Sequence, residues 1–139
     1  MIILDTNVIS EVMRPLPATP VTQWLGMQPR ASLFSTTITQ AEILYGIHLM
    51  PDGRRREDLL GAATIFFNDR LAGRVLPFDG DAAALFPRLA ADRRRSGRPI
   101  SYSDAQIASI ALSHGATLAT RNIRDFEGCG IALFDPWDD

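Results

Sequence analysis

The chain contains no lysine, a single cysteine (Cys129) and only two histidines, His48 and His114. One cysteine cannot close an internal disulfide, and no histidine or cysteine grouping has zinc-ligand spacing. Cys129 is read as a small packing residue, and the histidines as surface or helix-end residues. No stretch comes near the roughly 20 apolar residues that span a bilayer. The opening residues lack the basic stretch and small-residue cleavage site of a signal peptide. These absences predict a cytoplasmic protein with no membrane association. At 139 residues, 46% hydrophobic and 22% charged, the chain is long enough to bury a core unaided and is read as one domain over residues 1–139.

The formal net charge is −2, but its distribution is uneven. All 14 basic residues are arginine, clustered at Arg54, Arg55, Arg56 and at Arg93, Arg94, Arg95, with Arg98 close behind. A guanidinium grips phosphate with a planar fork. Solvated helix faces or ends are the simpler expectation for both clusters.

Short apolar runs at residues 2–4, 32–35, 74–78, 117–119 and 131–134 read as strands, separated by stretches of helical period. That alternation predicts an α/β fold: a parallel sheet sandwiched between helical layers. A helix over residues 8–13 follows Asn7 as cap, and a second is expected at Thr19-Pro20 with Thr19 as cap and Val21, Trp24 and Leu25 facing the core. Residues 39–50 and 54–72 read as two helices forming a hairpin around Pro51-Asp52-Gly53. A helix from near Asp81 should be kinked or divided by Pro87. The last, over residues 104–114, closes at Gly115.

The chemistry sits in carboxylates beside these runs. Asp5 follows the first strand directly, at the carboxyl end where open parallel sheets bind ligands. Thr120-Arg121-Asn122-Ile123-Arg124-Asp125 follows another apolar strand and would reach the same edge if the two strands are neighbours. Glu42 and Asp104 are expected in the first turns of their helices. There, Thr39-x-x-Glu42 fits a capping box and Ser101-x-x-Asp104 has related spacing, so both also have a purely structural explanation. Asp5 could likewise serve as a turn or cap residue. If Asp5, Glu42, Asp104 and Asp125 converge, two charges about 4 Å apart repel by about 4 kcal/mol at an effective dielectric near 20. Such a pocket needs protonation or a cation, and an oxygen-only donor set favours Mg²⁺ or Mn²⁺ over zinc.

Asp5-Thr6-Asn7, Thr39-x-x-Glu42, Ser103-Asp104-Ala105-x-Ile107-Ala108 and Thr120-Arg121-Asn122-x-x-Asp125-Phe126, in this order, resemble the PIN-domain family. Within that family the chain is most similar to the VapC- and FitB-type toxins of bacterial toxin–antitoxin pairs. The resemblance extends through Leu76-Pro77-Phe78-Asp79 and Phe134-Asp135-Pro136-Trp137. It implies a three-layer α/β/α sandwich with a parallel sheet of order 3-2-1-4-5 and Mg²⁺-dependent endonucleolytic cleavage of RNA. It carries the metal-ligand and catalytic roles onto Asp5, Glu42 and Asp104. The fourth acidic position falls on Asp125, because the alternative site holds only the amide of Asn122. Thr6, Asn7, Thr120, Arg121 and Asn122 are the expected supporting or substrate-binding residues, with Arg121 and Arg124 as candidates for steering phosphate.

The resemblance further implies a cognate VapB/FitA-like antitoxin covering a groove near Leu44, Tyr45, Ile47, Leu59 and Leu60. It also implies an antitoxin arginine able to enter the carboxylate pocket, DNA contact only through that antitoxin, and a homodimer. Two other readings stay open. One is a haloacid-dehalogenase-like phosphatase with Asp5 as nucleophile, against which Asn7 stands where that chemistry ordinarily has a second aspartate. The other is a metal- and partner-binding module of the same fold without catalysis.

Overall fold

The computed structural model describes residues 1–138. Its centre is a strand of three residues, β1 (Ile2–Leu4), followed at once by α1 (Thr6–Val12) and α2 (Thr19–Met27). Next come β2 (Leu33–Thr36), α3 (Thr37–His48), α4 (Arg54–Ile65), β3 (Val75–Leu76), α5 (Gly80–Arg95) and α6 (Tyr102–His114). The chain ends with β4 (Thr117–Ala119), α7 (Ile123–Phe126) and β5 (Ala132–Phe134). All strand pairs are parallel and the order is β3-β2-β1-β4-β5, the predicted sandwich.

Strand alternation explains the layers. Successive side chains leave a strand on opposite faces. Ile3 and Leu118 enter one core, against α5 and α6, with Leu89, Ile107 and Ile110. Leu4 and Ala119 enter the other, with Val8, Ile9, Val21, Ile43, Ile47 and Phe67. Each strand is therefore apolar on both faces, as a covered parallel sheet requires. Val21 is buried while Trp24 and Leu25 pack partly buried against the second core. Gly115 closes α6 in the left-handed conformation (φ 60°), where a side chain would be strained.

Helix starts differ from the sequence reading in an informative way. Asp5, not Asn7, caps α1, its side chain accepting from the Thr6 amide. Ala18 precedes α2, so Thr19 is already helical and Pro20 stands in the first turn. Thr36 caps α3 through the Thr39 amide, three residues earlier than the expected cap at Thr39, which puts Glu42 beyond the first turn. The capping box at Thr39 therefore does not form. Ser101 caps α6 through the Asp104 amide.

Elsewhere the expected helix over residues 54–72 is cut short. It widens into a π turn at Phe66–Arg70, where the Leu71 amide reaches the Phe66 carbonyl at 3.0 Å. Gly73 (φ 73°) then turns the chain so that the Arg74 carbonyl accepts from the Ser35 amide at the edge of β2. Pro87 does not divide α5: Pro87 and Ala83 are both exposed, so the carbonyl that loses its intrahelical donor faces water. Arg93 also departs from a solvated face. It is buried, donating from Nε to the Arg98 carbonyl at 2.7 Å and from Nη1 to the Glu127 carbonyl, and so ties α5 to the segment after α7.

Leu118 is fully buried at the centre of the sheet, whereas Leu49 is 67% exposed after α3. Leu118→Ala is expected to lower unfolding free energy by about 2–5 kcal/mol in urea titration, and Leu49→Ala to change it by less than about 0.5 kcal/mol.

Candidate acidic site

β1 pairs with β2 on one side and β4 on the other, so the crevice past their carboxyl ends is the point where strand order reverses. Asp5 stands at its mouth, held in register because its amide donates to the Ala119 carbonyl at 3.0 Å. The neighbourhood of the first and fourth strands, an assumption from sequence, is thus the central pairing of the sheet.

Asp5 is buried, and its two oxygens are separately engaged. Oδ1 accepts from the Thr6 amide at 2.8 Å and Oδ2 from the Thr120 hydroxyl at 2.8 Å. The Asn7 side-chain amide donates weakly to Oδ2 at 3.4 Å and to Thr120 Oγ1 at 3.3 Å, while Asn7 Oδ1 accepts from the Arg121 amide at 3.2 Å. The Asn122 amide donates to Thr120 Oγ1 at 3.1 Å. These bonds lock the loop after β4 onto the start of α1. From α3, Glu42 Oε1 accepts from the Thr6 hydroxyl at 2.9 Å, and buried Thr39 lies 3.1 Å from the same hydroxyl. Thr6 thus links Asp5 through its amide to Glu42 through its hydroxyl.

Asp5, Glu42 and Asp104 line one open cleft of about 550 Å³ together with Thr6, Asn7, Arg121 and Asn122. Asp125 is exposed on α7 and does not line the cleft, yet its charge acts on both Asp5 and Asp104. Asn122 does line it. Thr120 sits beneath, fully buried. Ser10, Glu11, Arg14 and Trp137 also line the cleft; the first three stand outside the sequence motifs, and Trp137 ends the last of them without a role assigned from sequence. Glu11 is buried because its Oε2 caps the Ala18 amide at 2.9 Å, a distant bond across the loop between α1 and α2.

Burial raises the Asp5 carboxyl above its ordinary range, opposed by its hydrogen bonds from Thr120 and Thr6 and reinforced by the charges of Glu42 and Asp125. Asp104 is pushed from 3.8 to about 6, mainly by burial and next by the charge of Asp5. The charge of Asp5 therefore opposes ionisation of Asp104. Among the described residues no three acidic, histidine or cysteine side chains close around a common point, so the arrangement is an open cup rather than a finished cage. Its donors are oxygen only, and among the described residues Asp5, Glu42 and Asp104 have no arginine ion-pair partner. Carboxylates raised by burial and without a cationic partner fit a hard dication such as Mg²⁺ or Mn²⁺.

The cup opens into a larger groove of about 850 Å³ between α1, α3 and α4; Thr6, Ser10, Arg14 and Glu42 line both. Of the expected groove residues, Ile47 and Leu59 line it, Leu44 and Leu60 pack against the second core, and Tyr45 is exposed outside it. Arg54 and Arg55 stand along the groove, while Arg56 pairs with Asp52 and contacts His48 Nδ1 at 2.9 Å. Cys129 is buried with its thiol pushed up by that burial, which suits packing rather than nucleophilic attack.

The model of the PIN domain matches residues 2–128. The chain is 41% identical to the VapC ribonuclease Y4jK of Sinorhizobium fredii, covering 99% of each chain. It is 36% identical to Toxin FitB of Neisseria gonorrhoeae over the whole of both chains. A solved structure of FitAB bound to an IR36 DNA fragment superposes with a TM-score of 0.94 at 35% identity, over 100% of this chain and 97% of that one. No helix of the described residues is long and apolar enough to cross a membrane.

Because the folded state holds the Asp104 proton more tightly than the unfolded chain does, this group favours folding in acid and loses that contribution as pH rises from about 4 through about 6. In chelator at pH 7.5, Asp104→Asn should melt at a higher temperature than the parent, and the gap should close toward pH 4. Calorimetric scans across this range measure it, and a gap of constant size would show that Asp104 does not carry the strain.

Proposed function

Since the chain belongs to the PIN-domain family, we propose that it is the toxin of a toxin–antitoxin pair and a divalent-metal-dependent endoribonuclease that hydrolyses RNA phosphodiester bonds in the acidic cleft. The observation that carries this reading is the joint placement of Asp5, Glu42 and Asp104 in one cleft at the strand-order switch, with Asp5 raised by burial and by the charges of Glu42 and Asp125, and Asp104 by burial and by the charge of Asp5. The names of the relatives, a VapC ribonuclease and a FitB toxin, support it.

In this reading Asp5, Glu42 and Asp104 hold Mg²⁺ or Mn²⁺, and Asp125 completes the acidic set from the rim. The chemistry supplied by such an ion when bound is polarisation of the phosphoryl oxygen, activation of water and neutralisation of the departing oxygen. The chain's own residues do the rest. Thr120 and the Thr6 amide aim the two oxygens of Asp5, and the Thr6 hydroxyl aims Glu42. Asn7 pins the backbone at Arg121, whose guanidinium, with that of Arg124, receives the scissile phosphate. Asn122 adds an amide able to bind phosphate or water. No side-chain nucleophile is needed.

A VapB/FitA-like antitoxin is the proposed occupant of the groove between α1, α3 and α4, with an arginine reaching the carboxylates. Contact with DNA is then indirect, through the antitoxin, in keeping with the likeness to FitAB solved on DNA. A homodimer is part of the same proposal.

Incubation of the purified chain with a defined RNA pool should give cleavage with Mg²⁺ and none with chelator. Asp5→Asn and Asp104→Asn should each lower the rate at least about 100-fold, and Thr120→Val, which removes the hydroxyl that bonds Asp5 and accepts from Asn7 and Asn122, about 10-fold. Equal cleavage by the chelated sample or by Asp5→Asn would overturn the reading.

A further inference from the structure

Trp137 lies beyond β5, at the same sheet edge as the carboxylates, because β5 pairs with β4 and the Thr120 amide donates to the Phe134 carbonyl at 2.9 Å. The indole packs against the second core, and the Trp137 backbone amide donates to Asp135 Oδ1 at 2.9 Å, so the fold sets its place. The Arg121 guanidinium carbon lies over this ring, 5.0 Å from its centroid. Arg121 and Trp137 line the same cleft as Asp5, Glu42 and Asp104.

An arginine on the wall of an acidic cup should swing into it, since charge-assisted bonds to carboxylate are among the strongest available to a guanidinium. Among the described residues Arg121 nevertheless makes no ion pair. Its main chain is pinned by Asn7, and its side chain is held sideways by the face of the indole. We propose that Trp137 is a positioning residue that keeps the Arg121 guanidinium out of the carboxylate cup, leaving the carboxylates free for a dication and the guanidinium free for phosphate. Loss of the aromatic face lets Arg121 become an internal competitor of the metal. This inference rests on the metal-dependent reading above.

The competition is testable by calorimetric titration of the full chain with Mn²⁺ alone. A cation–π contact at a partly exposed site biases a side chain by about two- to five-fold. Trp137→Leu, which keeps apolar volume but removes the face, should weaken Mn²⁺ binding by that factor, and Trp137→Phe should stay near the parent. Arg121→Gln should bind Mn²⁺ at least as tightly as the parent. The Trp137→Leu/Arg121→Gln double variant should regain the affinity of Arg121→Gln, a recovery that general damage to the cleft would not produce. Parental affinity in Trp137→Leu, or a double variant as weak as Trp137→Leu, overturns the proposal while leaving the nuclease reading standing. A parent that binds no Mn²⁺ removes both. If Trp137→Leu does not fold, the parent itself decides: the side-chain proton resonances of Arg121 should be shifted upfield by the indole ring, and random-coil positions would overturn the proposal.

Discussion

Asp5 brings a carboxylate into a buried position where the protein offers it two hydrogen bonds, from a backbone amide and a threonine hydroxyl, and other carboxylates as neighbours. Everything around the cleft is arranged about that cost. The β1–β4 pairing places Asp5 beside Thr120, α1 starts on the Asp5 side chain, and Thr6 passes the connection to Glu42 on α3. The same residue therefore ends a strand, caps a helix and opens the site. Its structural and chemical roles coincide because a helix N-terminus favours negative charge at the point where a parallel sheet leaves its crevice.

The arrangement trades stability for readiness. Asp104 is raised to about 6 by burial and by Asp5, so near neutral pH the cup is charged against the preference of the fold. Burial in a low-dielectric wall strengthens the repulsion and would equally strengthen attraction to a dication. Basic residues nearby are kept from quenching the cup. Arg14 is 3.4 Å from Glu11 and Arg121 lies over Trp137.

Much of the architecture was legible in the residues. Apolar runs such as Ile2-Ile3-Leu4 lacked the alternation of a half-exposed strand, and helical stretches between them called for a covered parallel sheet, which is what formed. Boundaries were less legible. Thr36, Thr37 and Thr39 are equivalent cap candidates by type, and the choice of Thr36 follows from β2 running up to that residue beside β3. The break after Ile65 has no glycine or proline at the point of change; the turn widens where the chain must leave α4 to lie along β2. Among site residues, Glu11 carried no local signal, and Trp137 stood in the terminal motif without showing its contact, since their places depend on partners at Ala18 and Arg121.

Local order along the chain was sufficient to determine a layered α/β domain, a carboxylate after the first strand, and the helices that carry Glu42 and Asp104, because hydrophobic period and helix punctuation act over a few residues. Tertiary structure alone decided that Asp5 and Thr120, 115 positions apart, would share a hydrogen bond. It also decided that Glu42 would answer to Thr6 instead of its own helix cap, and that Asn122 would line the cleft while Asp125 does not. Convergence of charges depends on which strands become neighbours, and strand order is settled by the packing of two whole helical layers rather than by any short stretch of residues.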